Sequence, residues 1–200
     1  MNALDNRKYV ITTIVNPLLK KYGFKRKANS FIKTTSLDSR IIDLNSSKFN
    51  DRDCVRFGIS IGFFSNAVFN FFTSHSKTQP EFGYCLFSFS LREFLEKDFA
   101  YYQYEMESGA DIDYLANSIY DDLCDALEKL SKIQKPIDYL TLINPSNRDN
   151  QIIMIYTLIL LLELQDISSA KRMHKEILIS FDGHQEVKEK LIKLGIQNGL

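Results

Sequence analysis

Three groups of side chains in this 200-residue sequence have types and spacings that could do chemistry. The first is basic. Lys20, Lys21, Lys25, Arg26 and Lys27 form the densest run of cations, and Lys33, Arg40 and Arg56 extend it. Such a patch contacts phosphates in a nucleic-acid or nucleotide binder. The plainer reading gives Lys20 and Lys21 to the last turn of a helix and the others to an exposed strand edge, where lysines block edge-to-edge pairing. The second group is acidic. Asp121, Asp122, Asp125 and Glu128 recur at spacings of three and four, which lines carboxylates along one side of a helix. A divalent cation there needs carboxylates from a second element, and none is identifiable, so a solvated helix face is the plainer reading. The third group lies on a strand. In Cys54–Phe63 the large residues Val55, Phe57, Ile59, Ile61 and Phe63 alternate with Cys54, Arg56, Gly58, Ser60 and Gly62. Glycine within a strand marks a bulge or the close approach of another chain or ligand. If the neighbouring strand pairs in register, Arg56 and Ser60 share a face with Asp43 and Asn45. That face is either a shallow binding surface or one covered by the C-terminal helices.

The familiar catalytic and metal signatures are missing. The chain has no P-loop, GxGxxG, GxSxG or HExxH motif and no Cys/His zinc spacing. His75, His174 and His184 are isolated in sequence. His174 and His184 can meet across a final helical hairpin, but without a cysteine or carboxylate motif they make a weak metal set. Cys54, Cys85 and Cys124 are odd in number and far apart, which fits reduced, mostly buried thiols. No catalytic set, metal site or cofactor is expected.

These groups need elements to position them. Val10, Ile14, Leu18 and Tyr22, joined by Ile11, Val15 and Leu19, predict a helix over residues 3–22 that Pro17 kinks near Thr13 and Gly23 stops. Strands follow over 31–35, 40–46 and 54–63, the first two joined by the turn tetrad Ser36–Ser39, and another over 84–91. Residues 65–80 read as a long loop or irregular edge. Ile112, Leu115, Ile119, Leu123, Leu127, Leu130 and Ile133 make the stripe of a long acidic helix capped by Asp111 and ended by Pro136. A linker with one short helical turn spans 137–147. Helices over 149–164, 167–180 and 184–195 complete the chain, with Ser168 or Asp166 capping the second and Gly195 stopping the third. Helices segregate from strands, which argues for an α+β fold: an N-terminal helix, an antiparallel sheet of about four to five strands, a long acidic helix, and a C-terminal helical subdomain. The first helix and the acidic helix are expected on the apolar face of the sheet.

The stretches Leu19–Lys25, Asn29–Phe31, Ser47–Phe49 and Phe57–Gly62 give a helix ending in Leu-Lys-x-x-Gly-Phe-Lys, an Asn-x-Phe strand, a Ser-Lys-Phe segment and a Phe-x-x-x-x-Gly strand. This pattern resembles the bacterial family labelled domain of unknown function 4304, over about residues 5–140. The Cys85 strand resembles a cysteine-bearing strand of that family. The family's tryptophan-bearing stretch has no counterpart, because the chain has no Trp. The resemblance implies a fold and a bacterial source, and no activity. The chain is expected to divide into an α+β domain over 1–140, which carries the resemblance, and a helical subdomain over 141–200 packed on it.

Composition narrows the function classes. Hydrophobic residues make up 44% and charged residues 25%, with 25 basic and 25 acidic side chains, so a disordered tail and a polybasic arm are excluded. The charge is unevenly placed: residues 1–60 hold 12 basic and 5 acidic side chains, and residues 81–130 hold 3 and 12. The N-terminus lacks an apolar leader core, and the run Ile152–Leu162 is too short for a bilayer, so a cytoplasmic protein with no membrane partner is expected. Opposite patches steer association with charged partners. The reading is therefore a non-catalytic protein-interaction module of the immunity or adaptor kind, with a protein partner and little role for nucleic acid. The alternative is an anion, nucleotide or nucleic-acid binder, or a hydrolase, on the polar sheet face, with Lys25, Arg26, Lys27, Arg40, Asp43, Asn45, Arg56 and Ser60 as binding residues. The C-terminal helices, with small Ala170, suit a homodimer surface.

Overall fold

The first helix is bent by its own sequence. In the computed structural model, which describes residues 2–35, 38–73, 79–97, 104–142 and 150–200, α1 (Ala3–Val10) runs through a π turn (Ile11–Val15) into α2 (Asn16–Lys21). Pro17 has no N–H to give Thr13 and would crowd its carbonyl. The chain relaxes into a wider turn, in which the Asn16 N–H donates to the Ile11 carbonyl. The bend is thus a π turn spanning the expected kink. Gly23, at φ 84°, ends the helix as its position predicts.

The strands β1 (Lys25–Lys27), β2 (Ser30–Thr34), β3 (Ser39–Ser46), β4 (Cys54–Phe64), β5 (Phe87–Ser90) and β6 (Tyr104–Glu107) form one antiparallel sheet. β4 is its axis. It pairs with β3 along its length, and on its other side with β6 at one end and β5 at the other. Val55, Phe57, Ile59, Ile61 and Phe63 are fully buried on one face. On that face lie α1, whose Val10 is buried, and α5 (Ile112–Lys132), whose Ile119, Leu123, Ala126 and Leu127 are buried; α5 also packs against α1 and the π turn. Asp111 caps α5, accepting from the backbone N–H groups of Asp113 and Tyr114. The short α4 (Leu91–Phe94) begins with a Ser90–Glu93 capping box.

Three elements depart from the sequence reading. Asn66–Phe72, expected as loop, is a helix, α3, with Ser65 as its cap; the polar Asn66 and Asn70 hid its apolar stripe. β6 was not anticipated, being only four residues between polar neighbours. The expected 84–91 strand shortens to β5, because Phe82–Tyr84 forms a 3-10 turn. Ser36, Leu37, Ser74, His75 and residues 143–149, on which parts of the turn, loop and linker readings fall, lie outside the described residues.

The chain divides into two compact units, Met1–Phe64 with Pro80–Ile133, and Ser65–Gln79 with Gln134–Leu200. The second contains α3, a 3-10 segment (Pro136–Leu142), α6 (Gln151–Glu163), α7 (Ile167–Ser180) and α8 (Gln185–Asn198). α6 is apolar nearly all round and buries Ile155, Leu158, Ile159, Leu160 and Leu161. Asp166 caps α7 by accepting from the Ser169 N–H. Gly195 does not stop α8; Gly199 does, at φ 66°. Among the described residues, no helix is long and apolar enough to cross a membrane.

Candidate functional site

The register places the expected residues on the second face of the sheet. Asp43 pairs with Ser60 and Asn45 with Gly58, so each pair shares a face. The row continues outward through Ser30, opposite Asp43, to Lys27, opposite Ser30, and on the other side to Ser90, opposite Ser60. Hydrogen bonds tie the row together. Ser30 Oγ donates to Asp43 Oδ1, and Asn45 Nδ2 donates to Ser60 Oγ at 2.6 Å. Lys25, Lys27, Asp43, Asn45, Arg56 and Ser60 therefore share one face.

Arg26 and Arg40 do not join them. Both fall at alternate positions and point to the opposite face. Arg40 is nearly buried and works as a helix cap: its Nη1 and Nη2 donate to the carbonyls of Leu130 and Ile133, each at 2.6 Å, at the end of α5. A guanidinium there satisfies carbonyls that have no partner within the helix. Arg40 thus leaves the binding set for a structural reason. Arg26 lies over the Phe31 ring and lines a cavity with Arg7.

The polar face is partly occupied by its own chain. A Cβ built on Gly62 would lie 2.5 Å from Cys85 Sγ and 2.9 Å from the Phe82 ring. The glycine marks a close approach, as its place in a strand implies, and the approaching group is the turn before β5. Burial first, and then the charge of Asp43, pushes the Cys85 thiol up to about 12. It stays protonated and unreactive at neutral pH.

Two of the three cations on this face are engaged. Arg56 Nη2 meets Glu105 Oε1 at 2.8 Å, with both side chains about half exposed. That bond holds Glu105 below the usual carboxylate range and raises Arg56. The same Oε1 accepts from Cys54 Sγ at 3.2 Å, which raises the Cys54 pKa. Lys27 Nζ lies 3.8 Å from Glu81. A phosphate arriving here would have to displace carboxylates and approach Asp43.

The acidic stripe of α5 is divided by burial. Asp122 is buried and accepts from Tyr104 OH at 2.8 Å and from Lys97 Nζ at 2.6 Å. Glu128 pairs with Lys132 one turn on, and Asp121 is exposed. Among the described residues, no group of three His, Cys, Asp or Glu side chains suited to a metal occurs. His174 and His184 do not meet as ligands. His174 is buried with Nε2 2.9 Å from the Leu191 carbonyl, whereas His184 is exposed at the start of α8. The three cysteines are free and partly buried. Sequence reasoning missed Arg7 and Lys8, whose cavity depends on the β1–β2 hairpin folding back beside α1. Their one signal was an i, i+4 relation to Ile11 and Thr12 on a helix face otherwise apolar.

These features sit on the portion of the chain that comparison identifies. Residues 15–132, from the end of the π turn to the end of α5, match the family model described as Domain of unknown function (DUF4304). No curated protein and no solved structure matches the chain. The match takes in α2, the whole sheet and α5, more than half of the sequence, and the chain belongs to that family.

Proposed function

We propose that this chain is a non-catalytic protein-interaction module of the adaptor or immunity kind, acting in the bacterial cytoplasm, and that it receives an acidic protein surface on its basic edge. The observation that carries this is the state of the cations at the end of α2 and in β1. All three β1 residues are exposed at the sheet edge. Lys20, Lys21 and Lys25 have no ion-pair partner among the described residues. Some cations elsewhere do find carboxylates, among them Lys97 with Asp122, Lys129 with Glu96, Lys132 with Glu128 and Lys190 with Glu186; Lys20, Lys21 and Lys25 instead stand close together in sequence at one edge of the sheet. Unpaired like charges on a short edge strand steer an oppositely charged partner and discourage sheet-to-sheet pairing.

The competing reading is an anion, nucleotide or nucleic-acid site, or a hydrolase centre, on the polar sheet face. It draws less support, because Arg56 is held by Glu105 and Asp43 adds negative charge. The test is affinity capture from the native host with two baits, the wild-type chain and a Lys20→Glu/Lys21→Glu/Lys25→Glu variant, at low and high salt. A specific partner is retained by the wild type at low salt and lost with the variant or at high salt. If no protein distinguishes the baits, the reading fails.

A further inference from the structure

A cavity of about 320 Å³ opens between the first helix and the β1–β2 hairpin, on the opposite face of β1 from Lys25 and Lys27. It is lined by Arg7, Lys8, Ile11, Thr12, Arg26 and Asn29. Three of the six are cations, and none is acidic. Neither guanidinium has a carboxylate partner among the described residues.

Both arginines are held in place by other means. The Arg7 guanidinium lies over the Phe57 ring, 5.6 Å from its centroid, and Phe57 is fully buried in the sheet. The Arg7 Nε is buried with no hydrogen-bond partner. A buried donor left unpaired costs free energy unless something fills the space beside it. Arg26 lies 5.7 Å over the Phe31 ring, and its Nε donates to the Ala28 carbonyl at 3.1 Å. Ala28 has φ 53°, a left-handed conformation unusual for alanine. The hairpin turn thus fixes one edge of the Arg26 fork and leaves the other edge free. Burial, and then the charge of Arg26, lowers the Arg7 pKa.

The donor set specifies the missing group. Thr12 commits its hydroxyl proton to the Lys8 carbonyl at 2.6 Å, so the donors available are the Arg7 and Arg26 forks, the Lys8 ammonium and the Asn29 amide. Two planar forks and a point charge lining one cavity match an oxyanion bearing more than one charge. We infer that this cavity is a binding site for a phosphoryl group, either inorganic phosphate or the phosphate of a small phosphomonoester, held between Arg7 and Arg26. The volume is at the lower end of the range for small-molecule sites. This inference does not rest on the protein-partner reading, which uses other lysines.

The test is isothermal titration calorimetry in low-chloride buffer with inorganic phosphate, phenyl phosphate, acetate and a single-stranded DNA 12-mer. Saturable binding of phosphate or phenyl phosphate is expected, with the tighter of the two naming the source, and acetate is expected to bind much more weakly. Arg26→Gln, an exposed substitution, should weaken phosphate binding about tenfold or more. Arg7→Gln should do the same if it folds, and Arg7→Lys, which keeps the charge but loses the fork, should fall between. Lys25→Gln, on the other face of β1, should leave binding unchanged. The inference is overturned by no saturable phosphate binding, by equal affinity in Arg26→Gln, or by a 12-mer that binds more tightly than phosphate and does so undiminished in Arg26→Gln. The charge-reversed bait tests the partner reading separately, because Lys20, Lys21 and Lys25 do not line this cavity.

Discussion

Replacing Gly62 with alanine decides what the polar face of β4 is for. The added Cβ would lie 2.5 Å from Cys85 Sγ and 2.9 Å from the Phe82 ring, closer than carbon atoms tolerate. β4 cannot retreat, because Gly62 is flanked by Ile41 on β3 and Ser88 on β5. The turn Phe82–Tyr84 must lift instead. Forcing a methyl into a packed site costs about 1–3 kcal/mol, and replacing a strand glycine recovers roughly 0.5–1 kcal/mol of backbone entropy. With the strand pinned on both sides, the upper part of the range applies, so Gly62→Ala should lose ~2 kcal/mol, or about 4–8 °C in Tm. A second readout locates the damage. With its pKa pushed up to about 12, Cys85 is thiolate in only ~1 part in 10,000 at pH 8. Lifting the turn rehydrates it. Site-resolved iodoacetamide labelling should therefore show Cys85 reacting many times faster in Gly62→Ala, with Cys54 as an internal reference. In a Cys85→Ala background the nearest clash is gone and the stability penalty should shrink. If Gly62→Ala melts with the wild type and Cys85 labels at an unchanged rate, the turn does not occupy this face. The glycine would then be clearance for something else.

Two further substitutions probe other packed sites. Gly195 lies against His174, where a Cβ would overlap the ring at Cε1 and sit 2.7 Å from Nε2. Gly195→Ala should therefore destabilise by about 1–3 kcal/mol despite alanine's better helix propensity. On a His174→Ala background the same change should turn neutral or stabilising, and urea melts of the four proteins would expose any lack of coupling. Tyr104 gives a pH dependence. Burial, and then its hydrogen bond to Asp122, raises its pKa above the ordinary tyrosine range. The folded chain resists ionising it, so this contribution is whole below about pH 10 and is lost as pH rises beyond that value. Tyr104→Phe should lose about 1.5–3 kcal/mol at pH 7 and then decline less steeply above pH 10. Parallel alkaline slopes would refute the assignment.

What could be read from the sequence follows from how local each signal is. Pro17, Gly23, Asp111 and Asp166 act on their own backbone neighbourhood, and each acts where its position implies. The β3–β4 register was legible because one slip would turn Phe57, Ile59 and Ile61 to the other face. Gly195 was misread for the opposite reason. A glycine near a helix end suggests a stop, but here its job is to admit a histidine from the neighbouring helix, and no local pattern records that. Arg40 looked like part of a basic patch because its role depends on carbonyls 90 and 93 residues away. The cavity between α1 and β1 was equally invisible, since Arg7 and Arg26 meet only after the hairpin folds.

The neutral total charge conceals an asymmetry that the pairing makes spatial. The acidic stretch spends much of its charge at short range: Glu81 on Lys27, Glu96 on Lys129, Glu105 on Arg56, Asp122 on Lys97 and Glu128 on Lys132. Only two of those cations, Lys27 and Arg56, come from residues 1–60. The basic stretch is therefore not cancelled by the acidic helix, even though α5 packs beside the π turn. Burial, and to a lesser extent the charge of Arg26, lowers the Arg7 pKa. A folded chain keeps two guanidiniums facing one cavity only where the surrounding packing holds them there, here the Phe57 and Phe31 rings. An anion that enters meets a site already arranged and loses little to reorganisation. The two faces of β1 thus carry separate expectations, a partner's acidic surface on the side of Lys25 and a phosphoryl group on the side of Arg26, and substitutions confined to one face distinguish them.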